Sequence, residues 1–466
     1  MAATQRDREF EEENRRLRKR VAELEAKVEQ LEELLRQRGK RNASKGPKID
    51  YSLGGNQELL GGRKRKEPKK SPGRRTHAEK AELFGPTVNV YPEGVAPEAC
   101  VFRAIQYGRR IIDGKAVLVR YNLYAPPGAT SLPTPPGMRN RRSEFGSEIV
   151  VSLAYLHYWV GLSIDNACDV LRYFTQLDLS KSQADSLLNQ LANDWHDDYE
   201  AIAALIALQM IVYVDETAWK VGDRSCYTWA FSSANYILYR CGVGRGQAEA
   251  REVLGKSFGG VGVSDDYAAY DNLFAEHQLC WAHFIRKAIK IALQAPDDPG
   301  YKEFLDRLYA IFCEAKRIRD DNRLTVGRAQ KVAQLKQAII DLCIFADMAD
   351  EDDMPSTMRA LIRLQQELVD NIDCLFVFVE KPDVQPTNNL SERNVRREAE
   401  IRKGGRTSKS EKGAKRRSII MTVFASLRSR VETLNLETVQ AEVSDWIAKG
   451  RSIFAEELEI AKGAAA

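Results

Sequence analysis

At 466 residues, with 44% hydrophobic and 8% aromatic content, the chain has material for several cores, on length alone about three domains, and is neither disordered nor low-complexity. A net charge of only +4 excludes a uniformly basic coat: cations gather at 62–75 and 393–417 and acids at 347–353, which favours phosphate contact at defined places. The longest apolar stretch, 201–214, is too short to span a bilayer, "MAATQRDREFEEE" is not a secretory signal, and eight scattered cysteines without a CxxC pair suit a reduced, cytoplasmic protein.

Residues 5–38 carry a heptad repeat. Phe10, Leu17, Leu24 and Leu31 occupy d positions, and Asn14, Val21, Val28 and Leu35 occupy a positions. Glu13 with Arg18, Arg20 with Glu25 and Lys27 with Glu32 are oppositely charged across g and e′, so a parallel homodimeric coiled coil is expected. Residues 39–85 read as a basic linker centred on "GGRKRKEPKKSPGRR", with a phosphate-binding arm that folds onto DNA as the alternative. Residues 86–142 read as a small β-rich segment, with strand, Asp-Gly turn and strand in "EACVFRAIQYGRR" and "IIDGKAVLVRYNLYAPP". Residues 143–206 read as a helical domain. "SIDNACDVLRYF" and "SKSQADSLLNQLANDW" are separated by "TQLDL", and Ser180 with Gln183 makes a capping box. The pair has the outline of a DNA-binding helix-turn-helix, or of two helices packed on a core.

From 207 the pattern alternates between strand and helix. "QMIVYVDE", "CYTWAFSS", "YILYRCGVG", "GVGVSDD" and "HQLCWAH" read as strands and "QAEAREVLG" as a helix, which predicts a mixed sheet with helices on its faces. Residues 287–386 read as an all-helical insertion and 431–466 as a helical tail, so the sheet domain comprises 207–286 and 387–430. "GVGRG" matches neither nucleotide-loop spacing and reads as a turn.

Three carboxylates stand out. Asp215 adjoins an apolar strand-forming run, where a buried charge needs a cation, a donor or solvent. Asp265 shares a strand face with Val261 and Val263, with Asp266 as a rival and an N-cap role as the plain alternative. Glu392 opens a basic helix, where it either caps that helix with Asn389 or joins the two aspartates beside Arg393, Arg396, Arg397, Arg402, Lys403 and Arg406. Glu216 falls on the opposite strand face. Cys280 and His283 form a lone C-x-x-H, and zinc needs about four ligands. No zinc is therefore expected, and His283 and Arg286 are assigned to line substrate phosphates or brace the acids.

Asp215 in "VDETAWKV", Asp265 in "SDDYAAYD", "CWAHFIRK" and Glu392 in "TNNLSERNVRREAEIRKGGRTS" resemble, in order, the motifs of the insertion sequence sixty-six family of bacterial transposases. The resemblance covers about 207–430, extends more loosely to 145–200, and includes an opening coiled helix. It implies an α/β, ribonuclease-H-like fold in which Asp215, Asp265 and Glu392 ligate two Mg2+ ions, with Mn2+ as a substitute. Asn388, Asn389, Arg393 and Arg396 would support the third ligand or hold DNA. The implied partners are double-stranded DNA (transposon ends and target), a second copy of the chain and small companion proteins, in a nucleoid-associated setting. One departure is clear: many members carry a cysteine-rich zinc module near 86–125, where this chain has only Cys100. The expected activity is cutting and joining of transposon ends. A structure-specific nuclease or a non-catalytic dimeric DNA-binding regulator would use many of the same features.

Overall fold

The computed structural model describes residues 85–321, 323, 327–343 and 354–465. The chain divides into two units, Met1–Thr76 and His77–Ala466, and all the described residues lie in the second. The coiled coil expected over 5–38 and all but the last residue of the linker expected over 39–85 fall outside the described residues.

Three strands form a small sheet: β1 (Thr87–Val90), β2 (Val101–Ile112) and β3 (Lys115–Ala125), in the order β1-β3-β2. Asp113 and Gly114 join β2 to β3 with φ of +50° and +75°. Positive φ at both central positions is what a type I′ hairpin turn requires, and Asp-Gly supplies it at low steric cost. β1 adds parallel to β3, a pairing the sequence pattern did not predict. Val90, Val119, Tyr121, Leu123 and Met138 close a core of their own.

A helical layer follows. α1 (Ser147–Ala154) runs into one π-turn over Tyr155–Trp159, then come α2 (Ile164–Thr175), α3 (Lys181–Asp194) and α4 (His196–Ala207). Ser163 caps α2 by accepting from the Asn166 N–H, and Ser180 with Gln183 forms the expected capping box on α3. The layer has no core of its own. Ile149, Leu188 and Ile202 are continuous with Val212, Val214, Trp229 and Leu238 of the next sheet.

That sheet has five strands: β4 (Ile211–Val221), β5 (Arg224–Ser232), β6 (Ile237–Val243), β7 (Phe258–Ser264) and β8 (Phe274–Leu279). Their order is β6-β5-β4-β7-β8. β4, β5 and β6 form an antiparallel meander, while β7 and β8 run parallel to β4. α5 (Gln247–Leu254) supplies the crossover from β6 to β7. This mixed α/β architecture is consistent with the ribonuclease-H-like expectation.

Two boundaries differ from the sequence reading. β4 continues six residues past Asp215, so that residue lies within a strand rather than at its end. β8 stops at Leu279, and "CWAH" opens α6 (Trp281–Gln294) instead of closing a strand. Trp281, Phe284, Ala288 and Ile291 are buried at intervals of three and four, a helical period that overrides the β-like composition of the segment.

α6 leads into α7 (Pro299–Asp320), α8 (Arg328–Leu342), α9 (Ser356–Asp370) and the single turn α10 (Val377–Glu380). This insertion packs on one sheet face, with Trp281, Phe284, Leu308, Ile339, Leu368 and Phe378 against Tyr213, Val261 and Val263. Buried Gln278 pins its return, giving its side-chain N–H to the Leu375 carbonyl and accepting from the Phe378 N–H. Trp281 N–H donates to Pro386 O, and Gln385 N–H to the Tyr213 hydroxyl. The chain is thereby delivered beside β4, where α11 (Asn389–Lys403) begins.

α12 (Glu411–Arg428) covers the edge strand β6. Ser418, Thr422 and Ser426 point hydroxyls at it and accept from the N–H groups of Cys241, Tyr239 and Ile237 at 2.9, 2.9 and 3.0 Å. α13 (Leu436–Lys449) and α14 (Ile453–Ala465) complete the chain, and α14 packs on α4. Among the described residues no helix is long and apolar enough to cross a membrane.

Candidate active site

The register of the two central parallel strands explains the first part of the site. β4 and β7 pair through Tyr213↔Val263, the last matched position. Two residues further along the chain from each member of that pair stand Asp215, within β4, and Asp265, just past the end of β7. β7 ends at Ser264, so the aspartates flank the notch where the strands stop pairing.

Glu392 arrives on the first turn of α11, which the sheet anchors at three points. Asn388 Nδ2 donates to Val214 O at 2.7 Å, Ser391 Oγ to Ala230 O at 2.9 Å, and Asn394 Nδ2 to Ser232 Oγ at 2.9 Å. Its carboxylate accepts from Arg286, at 3.2 Å from each oxygen, and from the Cys280 thiol at 3.8 Å. His283 Nδ1 lies 3.8 Å from Oε1. Of the two residues expected to brace the acid or line phosphates, Arg286 pairs with the acid, whereas His283 Nδ1 has no hydrogen-bond partner.

The electrostatics shows that the three acids share one neighbourhood. Burial pushes Asp215 up to about 8, with Glu216, Asp265 and Glu392 adding to the shift. Burial pushes Asp265 up to about 6, helped by Glu216, Asp266 and Glu392 and opposed by Arg245. Such upward shifts mark a site short of positive charge. Asp265 Oδ1 and Asn388 Oδ1 are buried without a hydrogen-bond donor. Hard oxygen ligands, a surplus of negative charge and an orphaned carboxylate oxygen fit a divalent cation such as Mg2+.

The neighbouring polar groups are organised as well. Glu216 turns to the other face, as expected, and accepts from Arg245 at 2.9 Å and from the Tyr270 hydroxyl at 2.6 Å. Arg245 stacks on Tyr267 at 3.9 Å and lies 5.3 Å from the Tyr227 ring. The "GVGRG" turn thus carries a positioned cation beside Asp265, a role sequence reading did not assign to it. Ser264 Oγ donates to the Asp265 carbonyl at 2.7 Å and bonds His277 Nε2 at 2.8 Å. Burial lowers His277 to about 4, so it is neutral, and because Ser264 gives its one proton to the Asp265 carbonyl, the matching tautomer carries the proton on Nε2. Asp266, the rival ligand, is exposed.

A family model described as the Transposase IS66 family matches residues 142–416, more than half the chain and a span within which all three carboxylates fall. The chain belongs to the IS66 transposase family. No curated protein matches it. Membership points to transposition, to DNA as partner and to use of a divalent metal.

On this IS66 chain the α11 residues and neighbours expected to meet DNA fall into two groups. Asn389, Arg393, Arg396 and Lys403 are exposed. Arg397 lies 4.0 Å above the Trp159 ring and donates to Trp159 O at 3.0 Å; Arg402 donates to Ala218 O and Arg406 to Gly161 O, both at 2.8 Å. Those three hold α11 and the following loop against the helical layer and β4. Asn388 is buried and braces β4. Nothing in the local sequence separates the groups, because the carbonyls that engage them lie more than 180 residues away.

Proposed function

We propose that this chain is a DNA transposase in which Asp215, Asp265 and Glu392 hold the divalent cations, Mg2+ or Mn2+, of a phosphoryl-transfer site that cuts and joins transposon ends. The observation that carries the reading is the shared electrostatic neighbourhood of three carboxylates from separate parts of the chain, two of them standing two residues beyond the last paired position of parallel β4 and β7. Bound there, two cations would activate the attacking oxygen and stabilise the departing one. The protein's part is positioning. Asn388, Ser391 and Asn394 fix α11 to the sheet, so Glu392 is held by the fold rather than by a mobile loop. Glu216 and the two tyrosines hold Arg245 beside Asp265, where it can meet a backbone phosphate. Exposed Arg393, Arg396 and Lys403 extend that cationic track along α11.

α3 is a poor candidate for the principal DNA-binding element. Of its cations only Lys181 is present, and that is paired with Asp165 at 2.6 Å. The N-terminal coiled coil would join two copies so that two ends are processed together.

Incubating the full-length protein with pre-cleaved ends, a target plasmid and Mg2+ tests this reading. Joined product is expected. Cleavage without joining would make it a structure-specific nuclease, and metal-independent binding without cleavage would make it a DNA-binding regulator.

A further inference from the structure

Cys280, His283 and Glu392 place a sulfur, an imidazole nitrogen and a carboxylate oxygen within 4.8 Å of one another. We propose that they form a second cation site, selective for thiophilic divalent ions such as Zn2+, which shares Glu392 with the oxygen-liganded centre and competes with it.

Size, chemistry and local structure support the site. Zinc bonds of about 2.3 Å to sulfur and about 2.0–2.2 Å to nitrogen and oxygen put tetrahedral ligands roughly 3.3–3.6 Å apart. Sγ and Nδ1 each stand 3.8 Å from Glu392 Oε1, so small side-chain movements close the shell. Cys280 is the N-cap of α6 and His283 lies on its first turn, with His283 N–H bonded to Cys280 O at 3.0 Å; the backbone already holds the two in place. His283 Nδ1 is shut off from solvent yet has no hydrogen-bond partner. Thiolate and imidazole favour zinc over magnesium, whereas Asp215 and Asp265 offer only oxygen.

A coordinated cation converts the Cys280 thiol to thiolate and its proton leaves to solvent. The Asn388 N–H, 3.2 Å from Sγ, then stabilises the thiolate. No fourth side chain joins the cluster among the described residues, leaving a position for water, as in open zinc sites. Arg286 must give up Glu392, which its half-exposed side chain can do at the small cost of a surface ion pair. The sequence showed only a lone C-x-x-H because the third ligand lies 112 residues beyond Cys280.

The competition rests on Glu392 being a catalytic ligand; the site itself does not. Metal-free, reduced full-length protein is titrated with Co2+, and sulfur-to-cobalt charge-transfer absorption is followed. One equivalent should develop the band in wild type and in D215N, Zn2+ should abolish it and Mg2+ should not. C280S and H283A should both lose the band while melting near wild type, and R286A should saturate at lower Co2+. Absence of a band in wild type, or its persistence in C280S, would overturn the site. Zn2+ should also suppress Mg2+-supported strand transfer by wild type; a normal band with zinc-indifferent strand transfer would overturn the competition. Failure of the acid assignment would show separately, as full strand transfer by D215N.

Discussion

Asp215 is held against its own chemistry. In the metal-free protein it titrates near 8 rather than the ordinary 3.8, because burial and its carboxylate neighbours disfavour the anion. Unfolding releases it to its ordinary value, so between roughly pH 4 and pH 8 the native state binds the extra proton and stability falls as pH rises. Asn at 215 cannot ionise. The melting temperature of metal-free D215N should therefore rise relative to wild type as pH goes from about 5 to about 8. Saturating Mg2+ should reverse the order, stabilising wild type and leaving D215N nearly unmoved; equal pH slopes for the two proteins would contradict the assignment. Much of this residue's setting was legible in the sequence, since an acid beside an apolar run needs a partner, and strand parity put Asp265 on the face of Val261 and Val263. The support shell was not. The partners of Ser264, His277, Arg245 and Glu216 are set by tertiary interactions 13 to 54 residues apart that no local pattern records.

Among the elements, α11 and α12 hold the site together. Glu398 and Arg417 form a bidentate pair at 2.6 and 2.9 Å between the two helices, with both side chains buried. Removing one partner strands a buried charge, so Glu398→Ala should cost about 3–5 kcal/mol in chemical denaturation, whereas an apolar pair of similar volume at 398 and 417 should recover most of it. α12 also closes the edge of the sheet, as edge strands require. Thr422→Val keeps the shape but leaves the buried Tyr239 N–H unpaired, an expected loss of about 1–3 kcal/mol, measured in the same way. The i, i+4 spacing of Ser418, Thr422 and Ser426 is visible in the sequence. Its purpose is not, because the strand they serve lies about 180 residues earlier. The hairpin at Asp113-Gly114 and the cap at Ser180 were legible for the opposite reason: their physics is contained within four residues. The strand reading of "CWAH" failed because aromatic and β-forming composition outweighed the buried three-four period that continues into α6.

On the scale of the whole molecule, a mixed five-stranded sheet and the helix packed on it gather carboxylates from residues 215, 265 and 392, with a helical insertion looping out and returning between the last two. The proposed DNA track on α11 rests on the same packing, which leaves some cations exposed and uses up others. Replacing Arg393 and Arg396 with Ala should weaken binding to all DNA sequences alike and lower the log–log salt slope by about 0.9 for each phosphate that is no longer neutralised. Arg397→Ala and Arg402→Ala should act chiefly on melting temperature, and an unchanged slope in the Arg393/Arg396 double variant would place DNA elsewhere. The account as a whole is tested most directly by strand transfer with D215N, D265N and E392Q, each checked for folding and for binding to transposon ends. All three should bind ends close to wild-type strength and join none of them to target. Wild-type joining by any one of them would contradict the claim that these three carboxylates form a single catalytic centre.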